Sequence, residues 1–353
     1  MLSYLILIGF LMEKSNLYLR EAMFYKKLNN KKVVCELCPR NCIIDVNKRG
    51  FCRNRENREG KLYSIVYGKP CSIGEEPIEK APFFHFFPGF LRLTLATVSC
   101  NQRCKYCQNW QISQAKLEDV PYYEFSPKEI VELAKKRNLK IICFTYTEPI
   151  VFYEYMYDIA KLAKKEGIKT CVVTGGYINP APLESLCKVV DAIKVDLKGF
   201  NENFYEKVCG SSLEPVLNGL KIIKKNGVWL EIVNLVVPTL NDKEEEIRKM
   251  CQWIKENLGD EVPLHFTRFF PNYQLTSLPP TPISTLEKAY KIAKQVGLKY
   301  VYIGNVPGHS YENTYCPYCQ KLLIKRMGFS VLENNIVDGK CKFCKRKIAG
   351  VFK

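Results

Sequence analysis

No stretch of this chain is both apolar and long enough to cross a bilayer as a helix. Met1 to Met12 is nearly all apolar, but it falls short of the roughly 20 residues that such a span needs. It also lacks the basic residues that open a secretory signal. These absences predict a cytoplasmic protein with no membrane association. The apolar segment is then a small docking helix, or it precedes a true initiator at Met12 or Met23. Acidic residues are scarce: 36 Asp and Glu stand against 53 Lys and Arg, for a net charge of +17. Residues 1–60 carry 12 basic against 6 acidic residues and residues 321–353 carry 9 against 2, so +13 of that charge lies in the two flanks. A basic rim can meet nucleic acid or an acidic protein, and it can equally be solvated surface; the second reading is the simpler.

Cysteine is abundant. Seventeen of the 353 residues are Cys, and with no secretory signature they point to metal ligation in a reducing compartment rather than to disulfides. Cys100, Cys104 and Cys107 form a C-x3-C-x2-C triplet directly after the apolar, β-branched run Phe90–Val98. Three thiolates from one loop are one short of the four that fill a cubane cluster or a tetrahedral zinc, and the open corner is where chemistry takes place. The alternative is a structural zinc loop with a distant fourth ligand.

Downstream, Cys316-x-x-Cys319 and Cys341-x-x-Cys344 are separated by 21 residues, the spacing of a four-cysteine zinc ribbon. Upstream, Cys35, Cys38, Cys42 and Cys52 lie within eighteen positions at irregular spacing, which suits either zinc or an auxiliary [4Fe–4S] cluster. Cys71, Cys143, Cys171, Cys187, Cys209 and Cys251 stand singly in apolar settings, where core packing is their expected role.

Between the cysteine modules the chain alternates strand-like and helix-like segments. Ser126-Pro-Lys-Glu129 supplies a cap, a first-turn proline and a capping-box glutamate for a helix. Strands are expected at 141–145, 169–174, 192–197, 228–237, 263–268 and 300–304, and helices at 152–166, 180–188, 214–225, 243–256 and 285–296. The strands are short and apolar, as parallel strands covered on both faces are. The fold class is α/β, a partial (β/α)6 TIM-type barrel. The expected division is an extension over 1–24, a cysteine-rich metal module over 25–80, the core over 81–305 and the ribbon over 306–353. In such a barrel the triplet loop, at the C-terminal end of the first strand, lies where an active site belongs.

The triplet loop resembles the signature of the radical S-adenosylmethionine (SAM) enzymes. The wider set Cys35-x-x-Cys-Pro, Val66-Tyr-Gly68, Pro77-Ile-Glu-Lys80, His85-Phe-Phe-Pro-Gly89, Cys107-Gln-Asn-Trp110 and Ile303–Gly308 is similar to the radical SAM member of the AmmeMemoRadiSam system, a relative of the pyruvate formate-lyase activating enzymes. The resemblance implies a [4Fe–4S] cluster on Cys100, Cys104 and Cys107. It also implies reductive cleavage of SAM to a 5′-deoxyadenosyl radical that abstracts hydrogen from a protein or small molecule. Implied partners are an electron donor such as ferredoxin or flavodoxin and the companion proteins of the system. Tyr106, Thr147, Glu148, Gly175, Gly176, Asp196 and Lys198 are the implied cofactor-binding residues, and Glu148, Asp196, Lys198 and His265 the catalytic candidates. His265 is equally at home as a core histidine. Two departures stand out: Tyr146-Thr147 replaces the glycines usual before Glu148-Pro149, and Gly175 stands where activases often carry asparagine. A glycyl-radical enzyme activase and a non-catalytic iron–sulfur and zinc scaffold for nucleic acid are the alternative functions.

Overall fold

A computed structural model of the chain describes residues 18–352. Met1–Met12, expected as a docking helix or as residues preceding the true initiator, lies outside the described residues, as does most of the 1–24 extension. Among the described residues no helix is long and apolar enough to cross a membrane.

The centre is an eight-stranded sheet: β1 (Ser72–Pro77), β2 (Leu91–Ala96), β3 (Ile141–Phe144), β4 (Lys169–Thr174), β5 (Ala192–Asp196), β6 (Trp229–Val236), β7 (Leu264–Arg268) and β8 (Val301–Gly304). Neighbours in the sheet are neighbours in sequence, from β1 at one edge to β8 at the other. β2 to β8 run parallel, and β1 pairs antiparallel with β2, Ser72 opposite Ala96 and Pro77 opposite Leu91. Six helices fill the crossovers: α1 (Pro127–Lys136), α2 (Tyr153–Lys165), α3 (Pro180–Cys187), α4 (Glu214–Lys225), α5 (Glu244–Leu258) and α6 (Ile283–Val296). The sheet does not close, so six β/α units and a final strand make the partial barrel that the alternating pattern predicts.

Local chemistry sets these boundaries. The hydroxyl of Ser126 accepts from the Glu129 N–H at 3.3 Å and the Glu129 carboxylate accepts from the Ser126 N–H at 2.7 Å, closing the capping box of α1. β3 is buried along its whole length, and β4, β5 and β6 nearly so, because helices cover the outer face while residues such as Phe83 and Phe86 pack against Ile141, Cys143, Cys171 and Ala192 on the inner one. β1 comes from within 25–80, so the end of the segment expected to form the metal module is part of the central sheet. Its charged, alternating sequence Ser-Ile-Gly-Glu-Glu-Pro fits an edge strand.

The cysteine modules flank the sheet. Upstream, Tyr25–Lys27, Val33–Cys35 and Ile43–Ile44 form one small antiparallel sheet, and Arg20–Glu21, Lys61–Ser64 and Arg55–Arg58 form another. Downstream, Thr314–Tyr315, Leu322–Met327 and Ser330–Asn334 form a third, followed by the hairpin Ile336–Val337/Lys340–Cys341. The downstream module docks on the aromatic segment before β2. Phe87 N–H donates to Val351 O and Val351 N–H to His85 O, both at 2.7 Å, and Arg326 Nη2 donates to Phe84 O at 2.9 Å.

Candidate active site and metal centres

The triplet loop leaves β2 at Ala96 and turns at Ser99, whose φ of +77° places it in the left-handed region. It is pinned from three sides. The Arg103 and Lys105 N–H groups donate to Cys209 O and Val208 O (2.8 and 2.9 Å) on the π-helical turn Tyr205–Cys209. The Asn101 side chain donates to Tyr177 O at 2.8 Å, and the Ser99 hydroxyl donates to Cys52 O at 2.5 Å. Cys100, Cys104 and Cys107 all line one cleft at the C-terminal ends of the parallel strands, a space of about 1960 Å³ including its open mouth.

Burial pushes the Cys100 and Cys107 thiols up; Cys104 is raised first by its hydrogen bond with Cys209 and then by burial. Cys100 Sγ accepts from the Gln102 N–H at 3.3 Å, and Cys107 Sγ lies 3.2 Å from Ser113 Oγ. Among the described residues no His, Asp or Glu joins these sulfurs in a tight ligand group, and no three cysteines here crowd within the 4.8 Å seen in the ribbon. A loop of three soft donors spread around one open cleft fits a [4Fe–4S] cluster with one free corner. Cys209, expected as core packing, backs Cys104, with its sulfur 3.6 Å from the Tyr106 hydroxyl.

Glu148 follows β3, the strand next to β2, and is buried. Its Oε1 accepts from Thr174 Oγ1 at 2.6 Å and from the Ile150 N–H at 3.2 Å, and its Oε2 accepts from the Gly175 N–H at 2.8 Å. A carboxylate has about four acceptor sites, so one on Oε2 remains for a cationic amine. Burial raises the Glu148 pKa, against the opposing pull of these donors. Gly175 has an ordinary backbone, yet a Cβ there would fall 2.1 Å from Gln102 Oε1 and 3.3 Å from Glu148 Oε2. This cradle, closed to side chains and lined by a carboxylate, fits the amino-acid end of SAM.

At the end of β5, Asp196 accepts from Lys198 Nζ at 2.9 Å and from Lys194 Nζ. Burial works against its charge, but the two ammonium groups hold its carboxyl below the usual range. Lys198 is raised: burial opposes its charge, and Asp196 and the nearby Cys104 thiol outweigh that. Tyr106 and Thr147 also line the cleft, Thr147 anchored through its hydroxyl to Thr97 O at 2.8 Å.

Two of the expected residues sit elsewhere. His265 is buried in the barrel interior, where its Nε2 lies 2.8 Å from Glu231 Oε2 and its ring stacks on Tyr302 at 5.0 Å. It does not line the cleft, because Glu231 takes its polar edge and aromatic rings cover its faces; it is a core histidine. Gly176, at φ +70°, packs against Val195 and Val216 on the helix side of the sheet. Its N–H donates to Thr174 Oγ1 at 3.0 Å, fixing the turn rather than facing the cleft. Gln102 and Lys194 are site residues that the motifs did not single out. Gln102 lies between the cysteines at a position the motif leaves unspecified, and Lys194 reads as a charge inside an otherwise apolar run before Asp196, which is itself the available signal.

The four downstream sulfurs lie within 4.8 Å of one another, with 3.6 Å between Cys316 and Cys344 and 3.8 Å between Cys319 and Cys341. A tetrahedral ion at a zinc–sulfur length of about 2.3 Å puts its ligands about 3.8 Å apart, so the set fits a closed zinc site.

A family model described as the Radical SAM superfamily matches residues 94–252. The chain is 51% identical to an uncharacterized protein of Methanocaldococcus jannaschii over 332 residues, 94% of this chain and 99% of that one. It is 29% identical to a pyruvate formate-lyase-activating enzyme of Clostridium pasteurianum, over 48% of this chain and 71% of that one. Among solved structures, SuiB of Streptococcus suis bound to S-adenosylmethionine aligns with a TM-score of 0.48 and 14% identity, covering 68% of this chain and 56% of that one. Residues 94–252 are a radical SAM superfamily domain, the chain is homologous to the pyruvate formate-lyase-activating enzymes, and it is an enzyme that uses S-adenosylmethionine.

Proposed function

We propose that the chain cleaves SAM reductively in the β2–β5 cleft and abstracts hydrogen from a protein or small-molecule substrate, in partnership with the companion proteins of the AmmeMemoRadiSam system. The observation that carries this reading is the convergence of one three-thiol loop, the Glu148 carboxylate, the bare Gly175 backbone and the Asp196–Lys198 pair on a single cleft. When bound, a reduced [4Fe–4S] cluster supplies one electron to the sulfonium of SAM, releasing the radical that takes the substrate hydrogen. Cys100, Cys104 and Cys107 hold the cluster and lose their thiol protons on binding it. Glu148 takes the methionyl ammonium with its remaining acceptor site. Lys198 places a cation where a carboxylate binds, and Asp196 keeps that cation oriented. Tyr106 and Thr147 shape the wall beside the loop.

The test is 5′-deoxyadenosine release from anaerobically reconstituted, dithionite-reduced protein, with Cys104→Ala alongside, in the presence and absence of the companion proteins. Release by the parent alone supports the reading. No release under any of these conditions, from a parent with a full cluster and bound SAM, overturns it. Homology to activating enzymes favours one second reading, a glycyl-radical activase. It requires that a cognate glycyl-radical enzyme acquire a glycyl radical signal in electron paramagnetic resonance (EPR) when mixed with this chain.

A further inference from the structure

Cys35 ends a strand of the upstream sheet, Cys38 and Cys42 lie on the turn after it, and Cys52 lies on the turn before Arg55–Arg58. All four line one cavity, walled on its inner side by Ile150 and Val151 and holding about 370 Å³ of unfilled space, part of it open to solvent. The site is thus built from two sheets of the module and the segment that follows Glu148. The proposed SAM chemistry uses none of its cysteines.

Spacing separates this quartet from the ribbon. The ribbon sulfurs crowd within 4.8 Å, as four ligands of one ion must; among the described residues no three of the upstream sulfurs do. They surround a volume rather than a point, which suits thiolates at the corners of a polynuclear core. The donors around them point the same way. Arg55, 1% exposed, places Nη1 3.7 Å from Cys35 Sγ, and the Phe51 N–H lies 3.5 Å from Cys42 Sγ. Arg55 lines the cavity too, and its buried Nε has no partner among the described residues. Four thiolates on a single ion offer that donor little beyond the bond already made, whereas the bridging sulfides of a cluster are further acceptors.

We propose that Cys35, Cys38, Cys42 and Cys52 hold a second [4Fe–4S] cluster, with all four irons ligated and no corner open for substrate. It neighbours the first site. Asn101, next to Cys100, lines its cavity; Ser99 Oγ donates to Cys52 O at 2.5 Å; and Arg103 joins Phe51 O (2.9 Å) to Cys100 O (2.6 Å).

The test counts metal in the full-length chain after anaerobic reconstitution with ferrous iron and sulfide. In a Cys100→Ala/Cys104→Ala/Cys107→Ala variant, about four irons and four sulfides per chain are expected to remain, with the EPR signal of a reduced cubane. Zinc is expected at about one per chain, from the ribbon. The parent is expected to hold about eight irons, falling to about four on Cys38→Ser/Cys42→Ser, so the count survives a failure of the triple variant to fold. About four irons and two zincs in the parent, or iron unaffected by Cys38→Ser/Cys42→Ser, overturns the proposal. Because the triple variant cannot turn over SAM, this outcome is independent of the proposed activity.

Discussion

The side chain of Gln102 occupies the space that a side chain at position 175 would need. Its Oε1 lies 2.1 Å from where a Cβ of residue 175 would be, and its Nε2 donates to Ser211 Oγ at 2.8 Å. A carboxamide from the cysteine loop thus fills the space beside position 175, where the activase resemblance often has asparagine. Gly175→Asn is expected to push Gln102 off Ser211 and weaken SAM binding about tenfold, roughly 1.4 kcal/mol. Gln102→Ala in the Gly175→Asn background should recover part of that loss. Titration calorimetry on the four proteins of this cycle checks it, and strictly additive losses would mean that the two positions do not compete for one space.

Asp196 bridges two lysines. Lys194 is 5% exposed and Lys198 14%, so Asp196→Asn leaves two buried ammonium groups facing each other across an amide. Discounting for the partial exposure of Asp196, the loss should be about 2 kcal/mol of stability. The released repulsion also misplaces Lys198, so SAM affinity should fall. Chemical denaturation and SAM titration measure the two effects separately. Unchanged affinity beside a lowered stability would assign the pair to structure alone.

Where a residue's role came from spacing, the sequence disclosed it; where it came from packing partners, it did not. The capping box at Ser126, the β/α alternation and the ribbon spacing are local patterns, and each reads directly into an element. The three cysteines, Glu148 and Asp196 fall at strand ends, so strand assignment alone carries them to one face of the sheet. His265 could not be placed this way. It sits on β7 beside Thr267, which lines the cleft, and what removes His265 from it is Glu231 on the neighbouring strand. Glu231 is fully buried and accepts from Phe84 N–H, His85 N–H and Trp229 Nε1 as well, an interior hub assembled from residues up to 147 positions apart. Likewise the antiparallel β1 was hidden because edge strands carry little hydrophobic pattern.

The ribbon is expected to stabilise the barrel through metal. Cys316 and Cys341 are fully buried, and Arg326 of the same module donates to Phe84 O and to Thr314 Oγ1 at 2.8 Å. Losing the ion frees the knuckles and, with them, the lid over the Phe83–Phe87 segment. Cys344→Ala, or prolonged chelation of the parent, should therefore release about one zinc and lower the melting temperature by several degrees, since metal binding is folding energy here. Metal analysis with parallel thermal melts checks both. A normal melt in a zinc-free variant would mean that the ribbon contributes nothing to the core.

His85 couples the same interface to pH. Its Nδ1 lies 2.6 Å from Ala349 O, an acceptor only, so Nδ1 carries the proton and Nε2 accepts from the Tyr302 hydroxyl. Burial lowers its pKa to about 4, with Arg326 and His265 adding to the effect and Glu231 opposing it. An unfolded histidine titrates near 6.5, so between about 6.5 and 4 the unfolded chain binds a proton that the folded chain refuses. Stability from this group is complete above about pH 6.5 and is lost as the pH falls toward 4, up to about 3 kcal/mol. Glu79, raised to about 7 chiefly by burial, tilts the other way: its folded state gains from protonation between about 4.5 and 7. The two slopes overlap in the parent, and comparison with His85→Asn separates them because Glu79 is common to both proteins. The stability difference between parent and His85→Asn should therefore shrink by about 2 kcal/mol between pH 7 and pH 4.5, read from urea unfolding at each pH. A difference that stays constant over that range would mean that His85 takes up its proton in the fold over the same range as in the unfolded chain, and the Ala349–His85–Tyr302 hydrogen-bond chain would have to accommodate two donors on the ring.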